Sequence, residues 1–365
     1  MTETKSEAAE QALRSYPYAQ MQLLHTIVGH SLSGETSYFA ISTDKKVLLS
    51  DCHSESTMGS ALKTLNIWDL QTGKLTDTLY TAHERIGTEQ DGQIIVSSFQ
   101  HIISVWKNWE MERRPLQIYG WIDIGSLAVS ADGSIVACGG RRRPEPLGQI
   151  DVWDLRECQF SFDPSQKIKK SKLQKKLSGT HPDSQAVKPT RRIQWQPSRS
   201  VSCILRVMIS PDNSLLLSQD EYRRGDFHRL WNLQTGELIR VFETSPYWLA
   251  DAIANTVAGR CLVSGIRDQS VKVWDLNTDQ VVYSFPGYHP IPGRSPTAMT
   301  PDGQVLAYCN DASEIVLWNL KVDQEIRTLL GNTSPIQSIC LSSDREWVVS
   351  YDAEQIIRIY GLLDE

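Results

Sequence analysis

A short apolar run ending in Trp-Asp or a close variant recurs along this 365-residue chain, and that recurrence constrains the fold more than any other feature. It reads LNIWDL (65–70), ISVWKN (103–108), IDVWDL (150–155), HRLWNL (228–233), VKVWDL (271–276) and IVLWNL (315–320). A seventh copy, IRIYGL (357–362), carries Tyr360 where the others carry Trp68, Trp106, Trp153, Trp231, Trp274 and Trp318. The intervals between these aromatic positions are 38, 47, 78, 43, 44 and 42 residues. A unit repeated at about 40–45 residues cannot bury its apolar face alone, so it must stack on its own copies.

A second signature precedes most copies. SADGSIVAC (130–138), SPDNSLLLS (210–218) and TPDGQVLAY (300–308) place turn residues between two apolar-rich runs. After several Trp copies comes a QTG or NTD turn and another run, as in LQTGELIRVF (233–242). Each repeat therefore reads strand, turn, strand, loop, Trp strand, turn, strand: four antiparallel strands per unit.

These motifs resemble the WD40-repeat family, in the regular form of bacterial WD repeats, over roughly residues 22–365. The resemblance implies an all-β, seven-bladed β-propeller of four-stranded antiparallel blades. In that family an entrance His and a loop Asp join the Trp in a hydrogen-bonded network. His30, His83 and His289 match the His, and Asp268 and Asp311 match the Asp, so only the sixth repeat shows all three together. The chain ends soon after IRIYGL, leaving the last repeat one strand short, and LLHTIVGH (23–30) reads as that missing strand. The N-terminal strand is thus expected to pair with the C-terminal blade and close the ring, which removes open sheet edges. Residues 1–21 read as an N-terminal tail and 22–365 as the propeller, with deletion of residues 1–18 expected to be silent.

The 78-residue interval exceeds one blade by about 35 residues, too few for another blade. It reads as an insertion in or after blade three, with its variable core at about 164–192. That stretch holds Lys167, Lys169, Lys170, Lys172, Lys175, Lys176, Lys188, Arg191 and Arg192 against Asp183 alone, a net charge of +8. With −6 on the whole chain, −14 remains elsewhere. Three parses stay open. The outer strand is FSF (160–162), or RRIQWQ (191–196), or lies in LQKKLSGTH (173–181); the second is preferred for the normal connection it leaves to SCILRVMIS (202–210). Such a segment either captures an acidic partner or phosphate backbone, or is simply a solvated loop.

In the implied architecture, the loops before the first strand and between the second and third strands share one rim. That rim collects Arg141, Arg142 and Arg143, Arg223 and Arg224, and Arg267, with Tyr119, Trp121, Tyr247 and Trp248 beside them. Arg and large aromatics are the residue types enriched at interaction hot spots.

No HExxH, CxxC, GxSxG or phosphate-loop spacing occurs, and neither a cofactor nor a catalytic or metal site is expected. Seven cysteines without a CxxC pair fit reduced thiols in a cytoplasmic setting, and no run approaches the about 18 apolar residues of a membrane span. The expected function is a non-enzymatic protein–protein interaction scaffold or assembly factor, binding one or more proteins, such as subunits of a larger complex. The alternative is binding of nucleic acid or another polyanion through residues 164–192 and the arginine rim.

Overall fold

The computed structural model describes residues 16–28, 39–42, 46–54, 62–81, 85–88, 94–99, 102–107, 116–119, 123–142, 147–157, 189–195, 203–221, 227–243, 249–256, 259–266, 270–278, 280–287, 296–342 and 344–362. Apart from one 3-10 turn at Pro17–Gln20, their regular structure is all strand. The strands form seven four-stranded sheets.

The first strand in the chain, β1 (Gln22–Ile27), is set aside for the last sheet. The first sheet holds β2 (Phe39–Ile41), β3 (Val47–Ser54), β4 (Leu62–Asp69) and β5 (Leu75–Thr81). The second holds β6 (Arg85–Thr88), β7 (Ile94–Phe99), β8 (Ile102–Lys107) and β9 (Leu116–Tyr119). In the third are β10 (Asp123–Val129), β11 (Ile135–Arg142), β12 (Leu147–Asp154) and β13 (Arg191–Trp195). The fourth comprises β14 (Cys203–Ile209), β15 (Leu215–Glu221), β16 (Phe227–Asn232) and β17 (Leu238–Glu243). In the fifth lie β18 (Leu249–Thr256), β19 (Gly259–Ile266), β20 (Ser270–Asp275) and β21 (Gln280–Pro286). The sixth has β22 (Thr297–Met299), β23 (Val305–Cys309), β24 (Ile315–Asn319) and β25 (Gln324–Leu329). The seventh joins β26 (Ile336–Leu341), β27 (Trp347–Asp352) and β28 (Ile357–Gly361) to β1.

Each repeat supplies a meander, and its Trp strand is always third, flanked on both sides. That position explains the aromatic signature. Trp153, Trp231, Trp68 and Tyr360 are buried, while Trp274 and Trp318 are half-buried. A buried ring of this size removes on the order of 150–250 Å² from water.

The turn signature has a shared atomic basis. The hydroxyls of Ser130, Ser210, Thr300 and Ser342 donate to Asp132, Asp212, Asp302 and Asp344 at 2.6, 2.6, 2.6 and 2.5 Å. Each hydroxyl also accepts the amide that begins the next strand, from Ile135, Leu215, Val305 and Trp347. The residue after each Asp has positive φ: Gly133, Asn213, Gly303 and Arg345. Glycine adopts that conformation freely and asparagine tolerates it; arginine does so only because neighbours hold it there.

Contacts divide the chain into two compact units. One contains residues 1–39, 68–74 and 247–365, hence the fifth, sixth and seventh sheets. Here β1 pairs antiparallel with β28, Leu23 opposite Tyr360 and Ile27 opposite Ile357. On the side of β1, His25 Nε2 donates to the Gln71 carbonyl at 2.6 Å. Gly73, with φ of 65°, makes room for that imidazole: a Cβ there would lie 2.9 Å from His25 Cγ. The core between the sixth and seventh sheets includes Val305, Ile315, Leu317, Ile336, Val348 and Tyr360, and also Tyr18 and Met21. Residues 16–21, ahead of β1, pack onto this core. Tyr18 and Met21 are fully buried, Tyr16 Oη donates to Gln304 Oε1 at 3.1 Å, and Arg327 donates to the Ala19 carbonyl. Deletion of residues 1–18 would remove the contacts of Tyr16 and Tyr18, so this packing weighs against a silent deletion.

The other unit contains residues 40–67 and 75–246. Its second and third sheets bury Ile103, Val105, Leu127, Val136, Cys138 and Trp153 between them. Its third and fourth sheets bury Ile135, Ala137, Ile150, Val152, Ile193, Ile204, Val207, Leu216 and Trp231. Gly139 permits this second approach, since a Cβ there would lie 2.7 Å from Val207 Cγ1 and 2.8 Å from Ile204 Cγ2.

Candidate functional site: the root of the basic insertion

The strand that follows the insertion is β13, and its register on β12 sets Ile150 opposite Ile193 and Val152 opposite Arg191. The excess residues of the long repeat thus lie between β12 and β13, as the preferred parse of RRIQWQ required. Lys167, Lys169, Lys170, Lys172, Lys175 and Lys176 lie outside the described residues, but both feet of the segment are defined. On the outgoing side, Arg156 closes back on Asp154, its guanidinium Nε at 2.9 Å from Oδ1. That pairing, chiefly its hydrogen bonds, holds the Asp154 carboxyl below the usual carboxylate range. On the returning side, Thr190 Oγ1 accepts the Asp154 amide at 3.0 Å.

Arg191 and Arg192 are then consumed by the fold. Arg191 crosses to the fourth sheet, donates to the Leu233 carbonyl, and lays its stem along Gly236, where a Cβ would stand 3.2 Å from its Cδ. Arg192 pairs with Asp151, which is fully buried, through Nε–Oδ1 at 2.6 Å and Nη2–Oδ2 at 3.2 Å. Gln149 donates to the same carboxylate at 3.0 Å and accepts from Gln194 at 2.8 Å. Of nine basic residues read as an arm, Arg191 and Arg192 are structural, and the other seven lie outside the described residues. The signal was present in the sequence: β13 alternates Arg191, Ile193 and Trp195 on one face with Arg192 and Gln194 on the other.

The same joint is fastened elsewhere. Asn213 Nδ2 donates to Asp132 Oδ2 at 2.9 Å across from the fourth sheet to the third. Burial pushes the Asp132 carboxyl up, but hydrogen bonds from Ser130, Ser134 and Asn213 outweigh it and hold the group well below its ordinary value. Trp195 lies 5.0 Å from Trp231, centroid to centroid, and the Arg229 guanidinium lies over Trp195 at 5.2 Å.

The arginine rim is only partly in view. Arg141 and Arg142 end β11, and Tyr119 ends β9. Arg143, Arg223, Arg224, Arg267, Trp121, Tyr247 and Trp248 lie outside the described residues, as do His30, His83, His289 and Asp268. The third sheet nevertheless sets Arg141 and Arg142 apart from the insertion. Arg141 and Arg142 lead into the connection that enters β12 at Leu147, whereas the insertion leaves β12 at Asp154. Eight residues of strand put about 23 Å between those ends.

The aromatic positions use varied partners. Trp231 Nε1 donates to Ser218 at 2.9 Å, but Trp318 Nε1 turns to Asp323 at 3.3 Å, and Asp311 sits exposed in a turn. In the seventh repeat Asn332 takes the place of the entrance His, donating to Tyr360 Oη at 3.1 Å and accepting from Ser350 at 3.0 Å. Arg358 reaches Asn332, Thr333 and buried Asp352. Sequence reading missed this substitution because Asn and Tyr together break the expected His–Trp pattern. Burial pushes the Cys309 thiol to about 12, consistent with a packing role. Among the described residues no group of three or more His, Cys, Asp or Glu is placed to hold a metal, and no helix is long and apolar enough to cross a membrane.

Residues 323–361, spanning β28 and the strands before it, match the family model described as WD domain, G-beta repeat. That match covers one repeat of the chain and agrees with the four-stranded pattern of the sheets. The chain is 27% identical over 164 residues to the mouse (Mus musculus) kinesin-like protein KIF21B, covering 42% of this chain and 9% of that protein. It is 26% identical over 167 residues to human (Homo sapiens) kinesin-like protein KIF21A, 44% of this chain and 9% of that one. Nuclear distribution protein nudF of Aspergillus niger is 24% identical over 183 residues, 45% of this chain and 40% of nudF. The chain therefore spans under half the length of each of these relatives.

Proposed function

We propose that this chain is a non-enzymatic scaffold of the WD40-repeat type, whose seven four-stranded sheets serve as blades and whose third sheet offers a different protein partner at each of its ends. The observation that carries the reading is the rooted insertion. Its feet are clamped by Asp154, Thr190, Arg191 and Arg192, so the segment that carries the other seven basic residues is anchored at a defined point on the third sheet. An arm presented in that way suits an acidic protein surface. Arg141 and Arg142, of the arginine-rich rim, belong to the other end of the third sheet. One short polyanion does not meet both surfaces across about 23 Å, which favours two protein contacts over a single nucleic-acid site. Similarity to parts of longer proteins, the kinesin-like proteins and nudF, agrees with a module that works within an assembly. Reduced, buried thiols suit the cytoplasm.

The test is affinity capture from native lysate with the wild type and with a variant whose residues 164–190 are a short Gly/Ser linker, which leaves Arg191 and Arg192 in place. A discrete set of proteins, held at moderate salt by the wild type and lost by the variant, supports the scaffold. Capture of nucleic acid alone, released by moderate salt, overturns it.

A further inference from the structure

We infer that the third and fourth sheets form one mechanically coupled platform for the insertion, joined at the rim it leaves from by two side-chain clasps: Asn213 to Asp132, and Arg191 to the Leu233 carbonyl. The inference uses the scaffold reading only to say what pulls on the arm; the coupling itself is a property of the free protein.

Asn213 owes its reach to its backbone. With φ of 57° in the SPDNS turn, it directs its amide back over the preceding sheet, to Asp132 at 2.9 Å and Ser134 Oγ at 3.4 Å. Gly133 and Gly303 occupy the same place in their turns and have no side chain to extend. The device occurs a second time in the other unit. There Arg345, φ 68°, reaches from the seventh sheet to Asp302 in the sixth-sheet turn, with its guanidinium 5.5 Å over the Tyr16 ring. The left-handed position of this turn is therefore a coupling position: a donor there ties a sheet to its predecessor, and a glycine does not.

The second clasp runs the opposite way. Arg191 belongs to the outer strand of the third sheet and donates forward, to the turn between β16 and β17. Tyr283 of β21 does the same, donating to the Leu320 carbonyl at 2.7 Å in the turn between β24 and β25. The joint below the insertion thus has an inner clasp donated backward and an outer clasp donated forward. Apolar packing alone resists separation but tolerates sliding, because it is non-directional; two hydrogen bonds of opposed sense, one at the inner and one at the outer strand, fix the offset between the sheets. Arg191 directly follows the foot of the arm at Thr190. Displacement of the arm is therefore felt at residues 232–237 of the fourth sheet, and Asn213 returns it to residues 130–135 of the third.

Hydrogen exchange of the full-length, unliganded chain tests this. Asn213→Gly keeps the backbone conformation while deleting the inner clasp, and Arg191→Met keeps the stem while deleting the outer. Asn213→Gly is expected to speed exchange about fivefold across 130–136, in the neighbouring sheet, the factor that matches one ordinary hydrogen bond. Arg191→Met is expected to do the same across 232–238. Arg345→Gly, the control, should act at 300–305 and leave 130–136 at the wild-type rate. Should a variant loosen the whole chain, the milder Asn213→Ser and Arg191→Lys are compared instead, and the neighbour-specific pattern is still required. Changes confined to each variant's own sheet, or none at all, overturn the platform. If the exchange result holds but the Gly/Ser-linker variant captures the same proteins as wild type, only the functional reading of the arm falls.

Discussion

Replacing Tyr18 with alanine is expected to destabilise this protein strongly, although the residue lies ahead of the first strand. Its side chain is fully buried in the core between the sixth and seventh sheets. Deleting a buried aromatic side chain costs about 3–5 kcal/mol, combining lost transfer energy with the cavity left behind. For a chain of this length that corresponds to a fall in melting temperature of about 4–7 °C. The hydroxyl behaves differently from the ring. It is buried without a protein hydrogen-bond partner, and burial pushes its pKa far above the ordinary phenol range. An unsatisfied buried hydroxyl opposes folding, so Tyr18→Phe is expected to be neutral or stabilising by about 1 kcal/mol. Urea denaturation followed by far-UV circular dichroism reads both variants, together with a deletion of residues 1–18 that removes the same ring. The reasoning is refuted if Tyr18→Ala and the deletion unfold with the wild type, or if Tyr18→Phe is as damaging as Tyr18→Ala.

Three further outcomes follow from the third sheet and its joint with the fourth. Arg192→Met strands the buried Asp151 carboxylate with only Gln149 for support and should cost about 3 kcal/mol, at the lower end for a broken buried pair because Arg192 is one-third exposed. The double variant with Asp151→Leu should recover most of that loss in the same urea assay. Gly139→Ala forces a methyl against Val207 and Ile204 and should cost about 1–3 kcal/mol, seen as a lower melting temperature in calorimetry. Because hydrogen bonds depress the folded-state pKa of Asp132, its contribution is fully present above the unfolded carboxylate value of about 3.9 and is lost as pH falls below it. Asp132→Asn should therefore flatten the acid limb of the stability–pH curve, and an unchanged limb would count against this carboxylate.

Much of the architecture was legible because it repeats. Seven aromatic strands, all but one pair at a nearly constant interval and most preceded by a hydroxyl-x-Asp turn, report a meander whose third strand is flanked on both sides, and Trp153, Trp231 and Tyr360 occupy that place. The strand in LLHTIVGH was legible for the same reason, since a repeat missing its last strand requires one from elsewhere. The turn SSDRE at 342–346 was less so, because arginine hides a left-handed position that glycine would have announced. The arm was recognised by charge, yet charge does not distinguish a lysine facing solvent from an arginine folded back onto its own sheet.

Alternation and period, being local, determined that this chain forms four-stranded units with a buried aromatic strand, and that one repeat carries extra basic residues. Only the tertiary structure decided which residues those units share. Tyr18 enters a core built more than 280 residues later in the chain, Arg191 serves the fourth sheet and not the arm, and Asn213 completes the turn around Asp132. The physical reason is that sheet pattern specifies which face is apolar, whereas the partner of a polar side chain depends on which sheet is brought against it, and no local pattern of residues contains that.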